Sequence, residues 1–171
     1  MNEMMILRAE SADAGTLCDM FMHQITNHPE YISHGEIQMG VGEGRFENGC
    51  FITQPSPQAV SQWMKYINGN LSSDRSAVFK AVNPQGEIIG FCVAEIFEDG
   101  ADPFGMICDI IVREELRSAG VGTALLNEAV GWLNFQNVNG IYLESGLANH
   151  PAHEYFIRRG FQKVSEIYKL M

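Results

Sequence analysis

The stretch of sequence that decides the fold reads Arg117-Ser118-Ala119-Gly120-Val121-Gly122-Thr123, and it joins an apolar strand to a long helix. Glycines at such a junction let the backbone approach a ligand closely, and the amides in the first turn of a helix lack intrahelical acceptors. The helix dipole adds partial positive charge at the same place, and Arg117 adds a full charge. This turn therefore predicts a binding site for a phosphate or a pyrophosphate.

Two common nucleotide-binding motifs do not fit this turn. A Walker loop requires a lysine directly after its last glycine, and none is present here. A dinucleotide fingerprint requires three glycines early in a strand-helix-strand unit, whereas this turn has two and lies about two-thirds of the way along the chain. A nucleotide-dependent oxidoreductase is therefore the less favoured reading of the turn.

Apolar periodicity around the turn predicts one α/β domain over residues 1–171, with strands of mixed direction. The pattern predicts strands at 4–9, 77–82, 88–97, 106–112, 141–144 and 161–169, and helices at 11–21, 56–69, 120–135 and 151–159. Residues 28–55 are rich in glycine and show no period, so they are predicted to form a long loop, either a binding loop or a flexible one.

The charge balance bears on the class of partner. The chain has 21 acidic and 11 basic side chains, a net charge of -10, and a nucleic-acid partner would require clustered lysine and arginine. Residues 1–60 contain two basic side chains, Arg8 and Arg45, among eight acidic ones. This composition favours a cationic partner. No apolar segment approaches the roughly 18 residues of a membrane span, so a membrane partner is not expected.

The chain shows no pattern of metal ligands or disulfides. Its four cysteines form no CxxC pair and have no zinc-ligand spacing, which predicts free thiols and a cytoplasmic location. His150 and His153 lie three residues apart near Glu154, but no third distant ligand is evident. The sequence therefore predicts no metal.

A second motif lies downstream of the turn. Asn149, Ala152, Gly160 and Phe161 match the pattern N-x-x-A-x-x-x-Y-x-x-x-G-F, and the 117–123 turn matches [RQ]xxGx[GA] after a strand that ends at Val112. The chain resembles the GNAT superfamily of N-acetyltransferases in both motifs, in the distance between them and in the order of its strands and helices. The resemblance covers nearly the whole chain. It implies a mixed, mostly antiparallel central sheet that is splayed at the acetyl-CoA site and flanked by helices on both faces.

The resemblance also implies acetyl-CoA as the co-substrate. The pyrophosphate would bind the amides of the turn, the pantetheine arm would pair with the strand before it, and Asn149 would contact that arm from the other side. The implied cofactor-binding residues are Ile110, Ile111, Val112, Arg117, Ser118, Ala119, Gly120, Val121, Gly122, Thr123, Asn149 and Phe156.

Glu144 matches a position where several members of the superfamily carry a general-base glutamate. An amine acceptor arrives as ammonium and must lose a proton before it attacks a thioester, and a carboxylate can accept that proton directly or through water. Asp109, in the strand beside the pantetheine, is the second candidate. A surface glutamate in an ion pair is the alternative reading of Glu144.

The chain departs from the superfamily pattern at Phe156, where a tyrosine commonly serves as proton donor to the leaving thiolate. Tyr155 precedes it and is the nearest hydroxyl, but one residue is about 100° around a helix. A thiol has a pKa near 8.5, so its expulsion as thiolate at pH 7 costs about 2 kcal/mol. The loss slows the reaction without forbidding it, and Tyr155 or water is the candidate donor.

These expectations converge on an enzyme that transfers acetyl from acetyl-CoA to a primary amine of a small molecule or peptide by direct attack. The acidic N-terminal third favours a cationic acceptor. The alternative is a CoA-binding module with little or no turnover, because Phe156 replaces the proton donor. A homodimer is left open.

Overall fold

The computed structural model describes residues 4–98 and 102–170. Its strands are β1 (Met5–Arg8), β2 (Gly42–Glu47), β3 (Cys50–Pro55), β4 (Ser76–Val82), β5 (Ile88–Phe97), β6 (Phe104–Val112) and β7 (Ile141–Leu143). Its helices are α1 (Ala14–Asn27), α2 (His34–Gln38), α3 (Ala59–Ser72), α4 (Val121–Phe135) and α5 (His150–Arg158). No helix within these ranges is long and apolar enough to cross a membrane.

The central sheet has five strands in the order β1-β4-β5-β6-β7. The first four strands pair with one another in antiparallel direction, and β7 is parallel to β6. The parallel pairing runs only from Gly105 and Ile141 to Ile107 and Leu143. Beyond it β6 continues to Val112 without a partner on that side, so the sheet opens there. The predicted mixed, mostly antiparallel sheet is confirmed.

Helices cover both faces of this sheet, as the sequence predicts. On one face, α1 and α3 bury an apolar cluster in which the rings of Phe21 and Trp63 stack with centroids 4.7 Å apart. On the other face, α4 buries Leu125 and Leu133 against the sheet. Full burial of side chains of this size contributes roughly 1.5–3 kcal/mol each, and it holds the sheet rigid next to its opening.

A bulge interrupts β6 at the sheet opening. Val93 of β5 pairs with Asp109 and Ala94 pairs with Ile107, so Cys108 is the extra residue. A bulge bends its strand and changes the direction in which the next side chain points. The bend comes one residue after the last pair between β6 and β7, and it places Asp109 at the beginning of the gap.

The prediction of a long loop over residues 28–55 is wrong. This segment contains α2 and a hairpin of β2 and β3. The hairpin turns at Asn48 and Gly49, which both have positive φ, as a two-residue hairpin turn of this kind requires. Gly44 leaves room for the ring of Phe51, which a Cβ would approach to 2.2 Å. Gly44 and Gly49 interrupt the apolar alternation of the sequence, and both are required by the hairpin.

Helix α1 extends to Asn27, beyond the predicted end at residue 21, and two further elements differ from the sequence-based expectation. Helix α3 does not end at Gly69 but continues to Ser72, since a glycine in open space weakens a helix without stopping it. The strand predicted at 161–169 is also wrong, because residues 162–170 form no strand. The apolar alternation is real, but Val164 and Tyr168 are 76% and 85% exposed. Alternation predicts a strand only where a sheet edge pairs with it.

Candidate active site

The turn before α4 has the geometry that an anion site requires. Ser118 and Gly120 both adopt positive φ, 67° and 87°, and the helix begins directly afterwards at Val121. Within the described residues, the amides of Val121, Gly122 and Thr123 have no hydrogen-bond acceptor. Three free amides at the positive end of a 15-residue helix can bind the oxygens of a phosphate group.

Two arginines flank this turn. Arg117 donates from Nη2 to Oε1 of Gln24 on α1. Arg159, which follows α5, donates from Nη2 to Oγ1 of Thr123 at 2.6 Å, and its guanidinium lies 5.2 Å from the ring centroid of Tyr155. The sequence analysis missed Arg159, although its place directly before Gly160 in the second motif was a signal. The turn therefore carries two cationic side chains from different elements.

A cleft of about 100 Å³ lies in the opening between β6 and the chain that follows β7. Residues from α1, α2 and α5 complete its walls. The structure brings together six of the predicted site residues in its lining: Asp109, Ile110, Ile111, Glu144, Asn149 and Phe156. The cleft thus joins the strand predicted to bind pantetheine to both candidate bases.

Asp109 is the most buried carboxyl group of the cleft, at 8% exposure. Burial raises its pKa to about 6, and a hydrogen bond from Tyr66 opposes that rise. The Tyr66 hydroxyl donates to Oδ2 at 2.7 Å. Glu144 is more exposed, and its Oε1 accepts a hydrogen bond from the Gly35 amide at 2.6 Å. Both carboxyl groups are held by a donor from another element.

Glu36 on α2 is a third carboxyl group in the cleft, and the sequence analysis missed it. Ser33 and Glu36 form a capping box, in which the Ser33 amide donates to Glu36 Oε2 at 2.7 Å. Burial, then the charges of Asp109 and Glu144, raise the pKa of Glu36 to about 8. The S-x-x-E pattern at residues 33–36 is typical of a capping box and could have indicated this helix, but the whole segment was predicted to be a loop.

The raised pKa of Glu36 leads us to expect a pH-dependent effect on the melting temperature. A carboxyl group whose folded pKa exceeds its ordinary value of 4.5 stabilises the fold when protonated, and it loses that contribution as pH rises through about 8. Glu36→Gln keeps the acceptor for Ser33 without the charge. We expect it to melt about 2–4 °C above wild type at pH 9, corresponding to about 1 kcal/mol, and close to wild type at pH 5. Calorimetric melts at both pH values measure this, and an equal shift at both would contradict the assignment.

The structure places Tyr155 and Phe156 in different surroundings. Phe156 lines the cleft with the carboxyl groups. The Tyr155 hydroxyl lies near the turn at residues 117–123, called the anion turn below. It is 3.7 Å from the position that a Cβ on Gly122 would occupy. It is buried and has no hydrogen-bond partner within the described residues. The structure therefore does not bring Tyr155 together with Glu144 and Asp109, and its catalytic role stays a prediction.

The chain after β7 is packed against the segment that leads into α2. A Cβ on Gly146 would lie 2.4 Å from the Tyr31 carbonyl oxygen, so only glycine permits this approach. The Gly146 carbonyl oxygen also lies 2.9 Å from Nε2 of His153. His153, one of the two histidines considered as metal ligands, is therefore in contact with a backbone carbonyl group. In residues 4–98 and 102–170, no three potential metal ligands lie together.

Comparison with known proteins gives a family match. The model of the acetyltransferase (GNAT) family matches residues 47–161. No curated relative matches this chain in sequence.

Solved structures share the fold at low sequence identity. The aminoglycoside N-acetyltransferase AAC(6')-Iy in complex with CoA is 16% identical, with a TM-score of 0.70 over 100% of this chain and 95% of its own. The BH1408 protein from Bacillus halodurans is 14% identical, with a TM-score of 0.73 over 98% and 99% of the two chains. At these identities the likeness shows the fold alone.

Proposed function

Because the chain belongs to the GNAT acetyltransferase family, we propose that it moves the acetyl group of acetyl-CoA to a primary amine of a small molecule or peptide. The observation that carries the proposal is the cleft beside β6, which is lined by both candidate bases and by Gln24, the residue that accepts a hydrogen bond from Arg117 of the anion turn. The turn suits a pyrophosphate, and the cleft suits an amine.

The residues at the turn fit acetyl-CoA. The free amides at Val121, Gly122 and Thr123 would accept the pyrophosphate oxygens, with Arg117 and Arg159 supplying charge. Ser118, Ala119 and Gly120 shape the turn, while Ile110, Ile111 and Val112 offer the unpaired side of β6 to the pantetheine arm. Asn149 faces β6 across the cleft, although its side chain also caps α5 by accepting a hydrogen bond from the Ala152 amide at 3.4 Å.

The carboxyl groups supply the proton chemistry. Bound acetyl-CoA would supply the thioester, whose C–S bond would break only after the C–N bond to the acceptor has formed. Glu144, or Asp109 as the second candidate, takes the proton that the ammonium must lose. A backbone amide of β6 would stabilise the oxyanion of the tetrahedral intermediate. The thiolate leaves and receives its proton from water or a hydroxyl group, because Phe156 has none to give.

The acceptor is proposed to be cationic. Glu36, Asp109 and Glu144 line the cleft, and no lysine or arginine is among its described lining residues. An ammonium group is attracted to such a site before it is deprotonated. Aminoglycoside acetyltransferases occur among the structures that share this fold, which is consistent with an acceptor of this charge.

A CoA-binding module without turnover is the second candidate, and Phe156 is the observation that favours it. A panel of amines, with CoA release monitored by a thiol reagent, separates the two. We expect thiol release with at least one cationic amine. Acetyl-CoA binding without release across a broad panel would support the module, and the absence of acetyl-CoA binding would reject both.

Gly120→Asp tests the cofactor site. The substitution places a carboxylate on the turn predicted to bind pyrophosphate, so acetyl-CoA affinity should fall at least about tenfold, or 1.4 kcal/mol. Gly86→Asp is the matched control, because Gly86 has a similar φ of 84° and the same open surroundings but lies in the turn between β4 and β5. Calorimetry should show a loss only for Gly120→Asp. Equal acetyl-CoA affinities for the two variants would show that the pyrophosphate does not bind at this turn.

A further inference from the structure

We infer that Glu36 selects the acceptor by binding a second, non-reacting ammonium group, so that diamines and polyamines are preferred over monoamines. The inference rests on the proposed amine transfer and goes beyond it, because it assigns a specificity-determining residue and the number of charged nitrogens in the substrate. Charge balance, position and unused hydrogen-bonding groups each support it.

The charges of the cleft favour a second cation. Glu36, Asp109 and Glu144 share one small cleft, and none of them forms an ion pair with another described residue. The reacting nitrogen must be neutral when it attacks, so it cannot neutralise the cleft at that moment. Its proton neutralises only one carboxylate. Burial and the other two carboxylates raise the pKa of Glu36 to about 8 in this cleft. A second ammonium group on the acceptor would offset this penalty, so that Glu36 ionises and forms an ion pair with it.

Glu36 comes from a different element than the two candidate bases. Asp109 lies on β6 and Glu144 directly after β7, so both flank the opening in the sheet. Glu36 comes from α2, which is fixed over this opening because the Gly35 amide binds Glu144. The capping box holds the Glu36 carboxyl group through Oε2. Glu36 is thus placed to hold one end of an acceptor whose other end reaches the sheet.

Unpartnered polar atoms in the same cleft indicate a polar ligand. The Ser145 hydroxyl is buried and has no hydrogen-bond partner within the described residues. Of the two oxygens of the deeply buried Asp109, only Oδ2 has a partner among those residues, namely Tyr66. Glu36 likewise uses Oε2 for the Ser33 amide, and its Oε1 has no described partner. Ammonium groups, each with three donors, would satisfy such acceptors.

The first test measures binding without turnover. Butylamine and 1,4-diaminobutane share a four-carbon chain and differ in the second nitrogen, so they are titrated into the CoA-loaded protein by calorimetry. We expect the wild type to bind the diamine at least tenfold more tightly, and Glu36→Gln to bind the two within about threefold. Glu128→Gln, on the exposed face of α4, should behave as the wild type. Equal binding of both amines by the wild type, binding of neither, or unchanged discrimination in Glu36→Gln would overturn the inference.

The second test separates this inference from the proposed function. In CoA-release assays Glu36→Gln should raise KM for the diamine at least tenfold, by a larger factor than it changes KM for butylamine, whereas Glu128→Gln should leave both values unchanged. Turnover with unchanged diamine preference in Glu36→Gln would overturn the inference and leave the proposed function standing. Diamine binding that depends on Glu36, without thiol release from any amine, would support the binding role and reject the transfer reaction.

Discussion

Replacing Glu144 with glutamine is expected to lower kcat/KM for an amine acceptor by about 10²–10⁴-fold, the range typical of a lost general base. Glutamine keeps the shape of the side chain and the acceptor for the Gly35 amide, so the position of α2 should be preserved. The loss should be largest below the pKa of the acceptor amine and should shrink as pH rises, because a neutral amine needs no base before it attacks. Initial rates of CoA release from pH 6 to 10 measure the effect.

Two other variants define how this result is interpreted. Glu128→Gln makes the same chemical change on the exposed face of α4 and should leave kcat/KM unchanged. A loss of only a few-fold in Glu144→Gln at every pH would assign Glu144 a structural role, in which it anchors α2 over the cleft. Asp109→Asn would then be expected to show the large, pH-dependent loss. The acid limb of the wild-type pH profile should in that case lie near pH 6, where burial places the pKa of Asp109, and it should be absent in Asp109→Asn.

The fold could be predicted because its signals are local. The glycine turn at 117–123 and the apolar strands on either side of Asn83 and Gly86 each specify their structure within a few residues. The bulge at Cys108 could not be predicted in this way, since it is a property of how β6 pairs with β5. The same holds for residues 162–170, whose alternation indicates a strand while the fold provides no partner.

The site residues next to the sheet opening were predicted from the sequence. Those on the elements that cover the opening were not. Asp109 lies within a strand, Glu144 directly follows another and Asn149 precedes a helix, and the pattern identifies all three elements, so the meeting of these residues follows from the topology. Glu36 reaches the cleft through a contact between residues 35 and 144, which no local pattern contains. Arg159 meets Thr123 across 36 residues for the same reason.

Phe156→Tyr is expected to raise turnover if departure of the thiolate limits the rate. The substitution adds a hydroxyl group to a side chain that is 8% exposed and lines the cleft beside the carboxyl groups. The gain is bounded by the cost of expelling an unprotonated thiolate, about 2 kcal/mol, which corresponds to roughly 30-fold in kcat. Phe135→Tyr, on an 81% exposed side chain of α4, adds the same hydroxyl away from the cleft and should change nothing.

Tyr155→Phe decides what an unchanged rate in Phe156→Tyr would mean. If Tyr155 already protonates the thiolate, its removal should lower kcat by up to the same 30-fold. The Tyr155 hydroxyl lies near Gly122, so we expect its loss to raise KM for acetyl-CoA more than it lowers kcat. Water would then be the donor in the wild type, and Phe156→Tyr should produce its full gain. CoA release with one good acceptor, measured for the wild type and each variant, distinguishes these cases. A wild type that turns over no amine and gains no activity from Phe156→Tyr would indicate that more than the proton donor is missing, as in a module that only binds CoA.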